Sequence, residues 1–228
     1  MAHPLFTVIV CTFNRETLLP RALDSLLAQT ETDWEALIVD DGSVDNTTQI
    51  VKSYIQQNPN LRYMFHQNRG LASSRNIAVP AAQGEFVTFL DSDDAYTPDH
   101  LSVRRQLIEA NPQADFLHGG MRIIGDEYVI DRFDSSMKIS LYDCIIDGTF
   151  VVRRSTFLSL GGFDPLPYSA GPTLYYKAVD AHINIVEVKA PTYLYDRTTP
   201  DSICNIVLDG GVEAVEHFRQ AGSTPATA

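Results

Sequence analysis

Gly84-Glu85-Phe86-Val87-Thr88-Phe89-Leu90-Asp91-Ser92-Asp93-Asp94 runs from a turn glycine through a short apolar-rich stretch into three carboxylates within four positions. Five residues this apolar, bounded by turn formers, predict a buried strand over 86–90 whose carboxyl end carries the acidic turn. The same alternation extends toward the amino terminus. Phe6 to Cys11 reads as a strand running into Thr12-Phe13-Asn14, and Leu18, Leu19, Ala22, Leu23, Leu26 and Leu27 follow at helical spacing. Asn14 is expected to cap that helix, with Pro20 tolerated in its first turn. Trp34 to Val39 is a second strand, ended by Asp40-Asp41-Gly42-Ser43, and Ile50, Val51, Tyr54 and Ile55 mark a second helix closed at Asn58-Pro59. Leu61 to His66 reads as a third strand and Leu71 to Ala82 as a helix, with Pro80 near its end. Strands alternating with helices predict an α/β fold with a mostly parallel sheet covered by helices.

Beyond the acidic turn, Pro98 is expected to open a helix bearing Leu101, Leu107 and Ile108, after which the pattern loosens. Met121 to Ile124, Tyr128 to Ile130 and Phe150 to Val152 read as strands of a more irregular half, followed by a short helix and Gly161-Gly162-Phe163-Asp164. No repeat or linker interrupts the chain. The expectation is one domain over residues 1–222, its halves (about 5–95 and 96–210) sharing one sheet. Val212 to Phe218 fits a packed terminal helix or a partner contact, and the small polar stretch 223–228 is expected to be flexible.

The 228 residues carry 17 Lys plus Arg against 29 Asp plus Glu, a formal charge of −12. A chain of that sign argues against nucleic acid and against an anionic membrane surface as partners. Cys11, Cys144 and Cys204 are odd in number and contain no CxxC pair, which disfavours a disulfide framework and a thiolate zinc site and fits a reducing compartment. The six histidines show no metal-binding spacing. With no signal-like start and no apolar run of spanning length, a soluble cytoplasmic protein is expected, and the Asn46-Thr47-Thr48 sequon would then be inert. A dinucleotide fold would need a glycine fingerprint after the first strand, where Thr12-Phe13-Asn14-Arg15-Glu16 has no glycine, and no GxxxxGK[ST] sequence supports a P-loop.

Ligands in open parallel sheets bind at the carboxyl ends of strands, where the acidic turns fall. Taken alone, Asp40-Asp41-Gly42-Ser43-Val44-Asp45 reads as a tight turn plus a helix cap. Asp91-Ser92-Asp93-Asp94 is different, because its carboxylates repel one another unless solvent or a cation screens them. Mg²⁺ or Mn²⁺ held by one or two carboxylates and the phosphates of a substrate would do so; a solvated turn capping the next helix is the plainer alternative. The Tyr175-Tyr176 pair reads as core packing before it reads as a sugar platform.

Four motifs in order, Val8 to Arg15 (VIVCTFNR), Leu37 to Asp45 (LIVDDGSVD), Asn68 to Asn76 (NRGLASSRN) and Gly84 to Asp94, together resemble the nucleotide-sugar-binding half of the family-2 inverting glycosyltransferases with the GT-A fold. The Gly161-Asp164 box and Thr199-Pro200-Asp201-Ser202-Ile203 are similar to later landmarks of that family, so that the resemblance covers about residues 5 to 205. It implies a GT-A type, Rossmann-like sheet and transfer of a sugar from a nucleoside diphosphate, UDP above all, to a glycan, lipid-linked or small-molecule acceptor. Thr12, Phe13, Asn14 and Arg15 would hold base and ribose, with Phe13 against the base. Asp41 would accept a hydrogen bond from the base, Arg75 would lie near the nucleotide, and Asn76 would brace the loop. Asp91 and Asp93 would form the DxD pair around Ser92, Asp93 touching Mn²⁺ or Mg²⁺ directly and Asp91 reaching ribose, water or metal.

An inverting transfer also needs a base for the acceptor hydroxyl. The resemblance places it about three residues before an aromatic segment ending in a basic residue, here Leu174-Tyr175-Tyr176-Lys177, which points to Ala170-Gly171. No acidic residue lies between Asp164 and Asp180. Three readings follow: Asp164 or Asp180 substitutes; the base is lost, leaving a catalytically weak or inactive nucleotide-sugar binder; or the register shifts across the three prolines of Pro165 to Pro172. The His that some relatives carry near the metal is also absent, with Asp196, Arg197 or nothing in its place.

Overall fold

The computed structural model describes residues 3–131, 134, 136–200, 202–211, 213–215, 217 and 220. Asp201, Val212, Glu216, Phe218 and the 223–228 tail, for which expectations were stated above, lie outside these. The description starts at the two strands that the sequence marks most strongly. β1 (Phe6–Thr12) and β2 (Trp34–Asp40) are buried at all seven positions each, as strands covered on both faces must be. β1 lies parallel between β2 and β4 (Phe86–Asp91), and β3 (Leu61–Phe65) adds in parallel to β2. The expected third and fourth strands are thus present, the third ending one residue early.

Later segments extend this sheet on its other side. β10 (Val151–Arg153) pairs antiparallel to both β4 and β6 (Phe116–His118), and β11 (Ile185–Glu187) closes the edge in parallel with β6. Among the described residues the sheet has seven strands in the order β11-β6-β10-β4-β1-β2-β3, shared by both halves of the chain. A small sheet of β5 (Ala95–Tyr96), β12 (Tyr193–Asp196) and β7 (Met121–Ile124), and a hairpin of β8 (Tyr128–Ile130) and β9 (Lys138–Ser140), make up the irregular part.

Helices cover both faces because alternate β1 residues point to opposite sides. Val8 and Val10 join Leu19, Leu23 and Leu26 of α1 (Leu19–Leu27), Val51 of α2 (Thr47–Gln57) and Leu101 of α4 (His100–Ala110). Ile9 and Cys11 face the opposite way, with Ala72 and Ala78 of α3 (Leu71–Ala78), Phe157 of α5 (Arg154–Ser159) and Leu174 of α6 (Ala170–Asp180). Each fully buried Leu or Val contributes about 1.5–3 kcal/mol of transfer free energy before entropy is counted. Helix α7 (Ile203–Gly210) begins with Ser202 accepting from the Asn205 N–H, a side-chain cap. No helix among the described residues is long and apolar enough to cross a membrane.

Three local expectations are corrected. Asn14 does not cap α1, which starts at Leu19 with no side-chain cap; Asn14 sits at φ 51° and its Oδ1 accepts from the Val44 N–H 2.9 Å away. The side chain is used across the strand ends, where two loops must be tied together. The helix after residue 71 ends at Ala78, and Pro80 falls in a 3₁₀ turn over Val79–Ala81, since a proline cannot donate to the helical ladder. Pro98 stands two residues before α4.

Gly84, the residue before Glu85 and β4, lies against β1: a Cβ there would stand 2.4 Å from the Thr7 N and 2.7 Å from Thr7 Oγ1, which accepts the Gly84 N–H at 2.8 Å. Gly84→Ala is expected to cost about 1–3 kcal/mol by forcing backbone apart, readable as a lowered denaturant midpoint. An unchanged midpoint would mean that the two segments separate freely.

Candidate active site

In a sheet ordered β3-β2-β1-β4 the order in which successive strands are added reverses between β1 and β4, and a crevice opens beyond the carboxyl ends of those parallel strands. A cavity of about 750 Å³ occupies that place. One wall carries Thr12, Phe13 and Arg15 after β1, Asp41 after β2, Arg69 to Arg75 around the start of α3, and Asp91 to Asp94 after β4. The opposite wall comes from the second half of the chain: Ile130, Ile139 and Leu141 beside the hairpin, Ile146 and Asp147, the Pro165–Pro172 segment, and Ile203 of α7. The second half thus contributes apolar side chains together with further charged ones, among them Asp131, Asp143, Asp164, Lys177 and Asp180.

Loop-to-loop bonds hold the first wall in shape. The Asn14 N–H donates to Ser43 Oγ (2.9 Å), the Arg15 N–H to Thr47 Oγ1 (3.0 Å), and the Glu16 N–H to Asp45 Oδ2 (3.1 Å). Thr12 and Asp41 are joined through the Asp41 N–H and Thr12 carbonyl at 2.9 Å. The Thr12 hydroxyl is buried and has no hydrogen-bond partner among the described residues, a polar atom that a ligand in the cavity would satisfy. Asp41 is buried and receives the Arg69 N–H at 2.6 Å on one carboxylate oxygen and the Gly70 N–H at 2.8 Å on the other, with His66 Nδ1 3.3 Å away. It therefore anchors the turn into α3. A carboxylate has about four acceptor sites, so capacity for a base N–H is left.

Arg75 is the centre of the floor. Its side chain is 1% exposed, donating through one terminal nitrogen to Asp91 Oδ1 and through the other to Asp147 Oδ2, both at 2.7 Å. Its guanidinium carbon stands 5.1 Å from the ring centre of Phe89 and 5.3 Å from that of Phe163. Burial works against this charge, but Asp147 and Asp91 more than offset it and hold the guanidinium above its ordinary pKa. Asp91 is raised, burial outweighing the pull of Arg75. Asn76 braces the neighbouring turn as expected, its amide donating to the Phe163 carbonyl (2.8 Å) and its Oδ1 accepting the Phe163 N–H (2.9 Å).

The three carboxylates of 91–94 separate into different roles. Asp94 is buried and structural, accepting from Tyr193 Oη (2.6 Å) and the Asp196 N–H (2.8 Å); burial, then Asp93 and Asp91, push it well above the usual carboxylate range. Arg21 reaches over the turn to the Asp93 carbonyl and to Asp196. Asp196 also accepts from the Thr198 hydroxyl and N–H, which with Arg21 outweigh burial and lower its carboxyl. Ser92 is buried, and Asp93 is half-buried against the cavity.

Among the described residues no group of three His, Cys, Asp or Glu side chains forms a metal cage. The donor set instead suits an ion held by one or two carboxylates and completed by phosphate and water, as Mg²⁺ commonly is. Asp93, half-buried against the cavity, is the member of the turn placed to take this part, while Asp91 is paired with Arg75 and Asp94 is buried against Tyr193 and Asp196.

The structure gathers Thr12, Phe13, Arg15, Asp41, Arg75, Asp91, Ser92 and Asp93 around one cavity, with Asn14 behind it as a tie. Asp164 and Asp180 reach only its far side: Asp164 is 2.5 Å from Lys177 Nζ, and Asp180 is exposed at the last position of α6. Sequence reasoning did not single out Asp147 or Arg21. Asp147-Gly148 reads as an ordinary turn before a strand, and no local signal ties either residue to positions 72 or more away.

A model of the family described as Glycosyl transferase family 2 matches residues 7–158. The chain is 31% identical over 159 residues, 68% of its length, to the Escherichia coli UDP-Glc:alpha-D-GlcNAc-diphosphoundecaprenol beta-1,3-glucosyltransferase WfgD, covering 62% of that protein. It is 35% identical over 127 residues, 55% of its length, to an uncharacterised glycosyltransferase of Nostoc, of which it spans 39%. The structure of S. aureus TarS 1–349 in complex with UDP-GlcNAc aligns with a TM-score of 0.70 at 22% identity, over 96% of this chain and 70% of that one. A Pyrobaculum calidifontis mannosyltransferase in complex with GDP-Man and Mn²⁺ aligns with a TM-score of 0.67 at 17% identity, covering 98% and 73%.

Proposed function

Because the chain belongs to glycosyl transferase family 2 and folds as a GT-A type α/β domain, we propose that it transfers a sugar from a nucleoside diphosphate donor, UDP-linked, to a hydroxyl acceptor with inversion, in a divalent-cation-dependent reaction. The observation that carries this reading is the position of Asp91-Ser92-Asp93 at the end of β4, on the same cavity wall as Thr12, Phe13 and Asp41.

Each residue then has a physical task. Phe13 offers a half-buried ring face for the base, Asp41 an acceptor for a uracil N–H, and the Thr12 hydroxyl an unspent polar atom beside them. Arg75 holds Asp91 fixed at the junction of the two walls. A bound Mn²⁺ or Mg²⁺ would neutralise charge on the departing diphosphate, with Asp93 as its direct ligand and Asp91 nearby. Arg15 and the bound cation would supply the positive field that lets a chain of formal charge −12 bind an anion. The acceptor is a glycan, a lipid-linked saccharide or a small molecule; the diphosphoundecaprenol-linked acceptor in the name of the E. coli relative favours an acceptor with an apolar portion. The E. coli relative and the TarS complex both involve UDP-sugars, which favours UDP over other carriers.

Calorimetric titration of UDP with and without MnCl₂ tests the reading. Affinity should rise with Mn²⁺, and Asp93→Ala should remove that rise, a loss of at least tenfold or about 1.4 kcal/mol. Equal affinity of the variant in Mn²⁺ would sink the role given to Asp93.

A further inference from the structure

Transfer to a hydroxyl needs a carboxylate that faces the cavity from the acceptor side with an oxygen free to take a proton. Several of the acidic side chains along the walls are already committed. Asp41 spends both oxygens on the turn into α3, Asp94 both on Tyr193 and the Asp196 N–H, and Asp196 both on Arg21 and Thr198. Asp164 is paired with Lys177 at the rim.

Asp147 differs. It comes from the acceptor-side half, in the 3₁₀ turn Asp147–Thr149 before β10, and meets the nucleotide-side half at Arg75. Its side chain is 24% exposed, its Oδ2 is held by Arg75, and its Oδ1 makes no hydrogen bond among the described residues. The guanidinium that orients it also holds Asp91, so Asp147 stands one guanidinium's width from the strand-end turn that faces the diphosphate.

Gly171 gives the second, independent observation. A Cβ built on Gly171 would lie 2.5 Å from the Asp147 Cβ and 2.9 Å from its Cγ. The Asp147 side chain thus fills the space into which a residue 171 side chain would project. That is the position where this sequence lacks its expected acid, and a carboxylate at 171 and one at 147 could not both be accommodated.

We propose that Asp147 is the base of the reaction, replacing the acid missing at Ala170-Gly171; the assignment rests on the transferase reading above. The acceptor oxygen forms its bond to the anomeric carbon while the bond from that carbon to the diphosphate oxygen breaks, with the electron pair leaving on the diphosphate. The acceptor proton passes to Asp147 Oδ1 and later to solvent. Arg75 positions the carboxylate through its bond to Oδ2, leaving Oδ1 toward the acceptor.

Hydrolysis of UDP-glucose, UDP-galactose and UDP-GlcNAc in MnCl₂, with water as acceptor, provides the test, followed by UDP release and paired with UDP binding by calorimetry. Asp147→Asn should lower kcat by about 10²- to 10⁴-fold, with donor KM and UDP affinity within threefold of the parent. Moving the carboxylate in Asp147→Gly/Gly171→Asp should recover at least tenfold of the activity lost in Asp147→Gly. An Asp147→Asn enzyme within threefold of the parent rate overturns the assignment. So does a variant whose UDP affinity falls in step with its rate, or a transplant that folds, binds UDP and recovers nothing. Parent protein that binds UDP but hydrolyses none of the donors also overturns it while leaving nucleotide binding intact. Parent protein that does not bind UDP brings down the transferase reading itself, and the base assignment with it.

Discussion

Arg75→Met should destabilise the protein by about 3–5 kcal/mol, the range for removing one partner of a buried ion pair. The side chain is fully enclosed, bridges Asp91 and Asp147, and lies against the faces of Phe89 and Phe163. Methionine replaces much of the volume but none of the charge, so two carboxylates are left facing each other with no counter-ion. Urea unfolding should show the midpoint falling by roughly 1 M or more. The sign of the pH dependence follows from Asp91, whose folded-state pKa is already raised by burial and would rise further without Arg75. Between the unfolded and folded values the native state binds the extra proton, so stability falls as pH rises through that window. The deficit of Arg75→Met should therefore be smaller at pH 5 than at pH 8. Adding Asp91→Asn and Asp147→Asn should restore most of the loss, because the like charges are then gone. A single variant within 1 kcal/mol of the parent at pH 8 would show that water, not Arg75, screens the pair.

Phe89→Ala should be of similar size for a different reason. Phe89 is fully buried in β4, 5.2 Å edge-on from Phe163, 6.0 Å from Phe157 and 5.1 Å from the Arg75 guanidinium. Truncating a core phenylalanine costs about 3–5 kcal/mol, transfer and cavity terms together. In a chain of 228 residues that corresponds to a melting-temperature drop of roughly 6–20 °C, measurable by differential scanning calorimetry. The same ring supports Arg75 and begins the last turn of strand before Asp91, so UDP affinity should fall even at temperatures where the variant remains folded. Phe89→Leu, which keeps most of the apolar volume, should show less than half of the stability loss. Loss of stability without loss of affinity would separate the floor of the site from the core beneath it.

How much of this was legible in advance can be judged residue by residue. The strand Phe86–Asp91 and the turn after it were readable because both signals are local: a run of apolar residues, then residues that break a strand. The same holds for β1, β2 and the Leu19–Leu26 stripe of α1, whose 3.6-residue spacing is a property of the segment itself. Asn14 shows the limit. Its residue type suits a helix cap, but its Oδ1 accepts from the Val44 N–H, thirty positions on, and the helix begins elsewhere. Asp40-Asp41 read alone as a turn, and Asp41 does hold one, though the turn is the distant Arg69-Gly70.

The sequence by itself determined the class of fold, the order of its first four strands, and the strand ends at which charge accumulates, since periodicity and turn chemistry act over a few residues. Only the tertiary structure decided which carboxylates remain available. Arg21 and Tyr193 claim Asp196 and Asp94, and Arg75 draws Asp91 and Asp147 together over 16 and 72 positions of chain. Gly171 is silent in the sequence because a glycine has no side chain to read. In the fold its missing Cβ is the space that Asp147 fills. Such contacts depend on which faces the packed sheet brings within a few ångströms, and no local pattern encodes that distance.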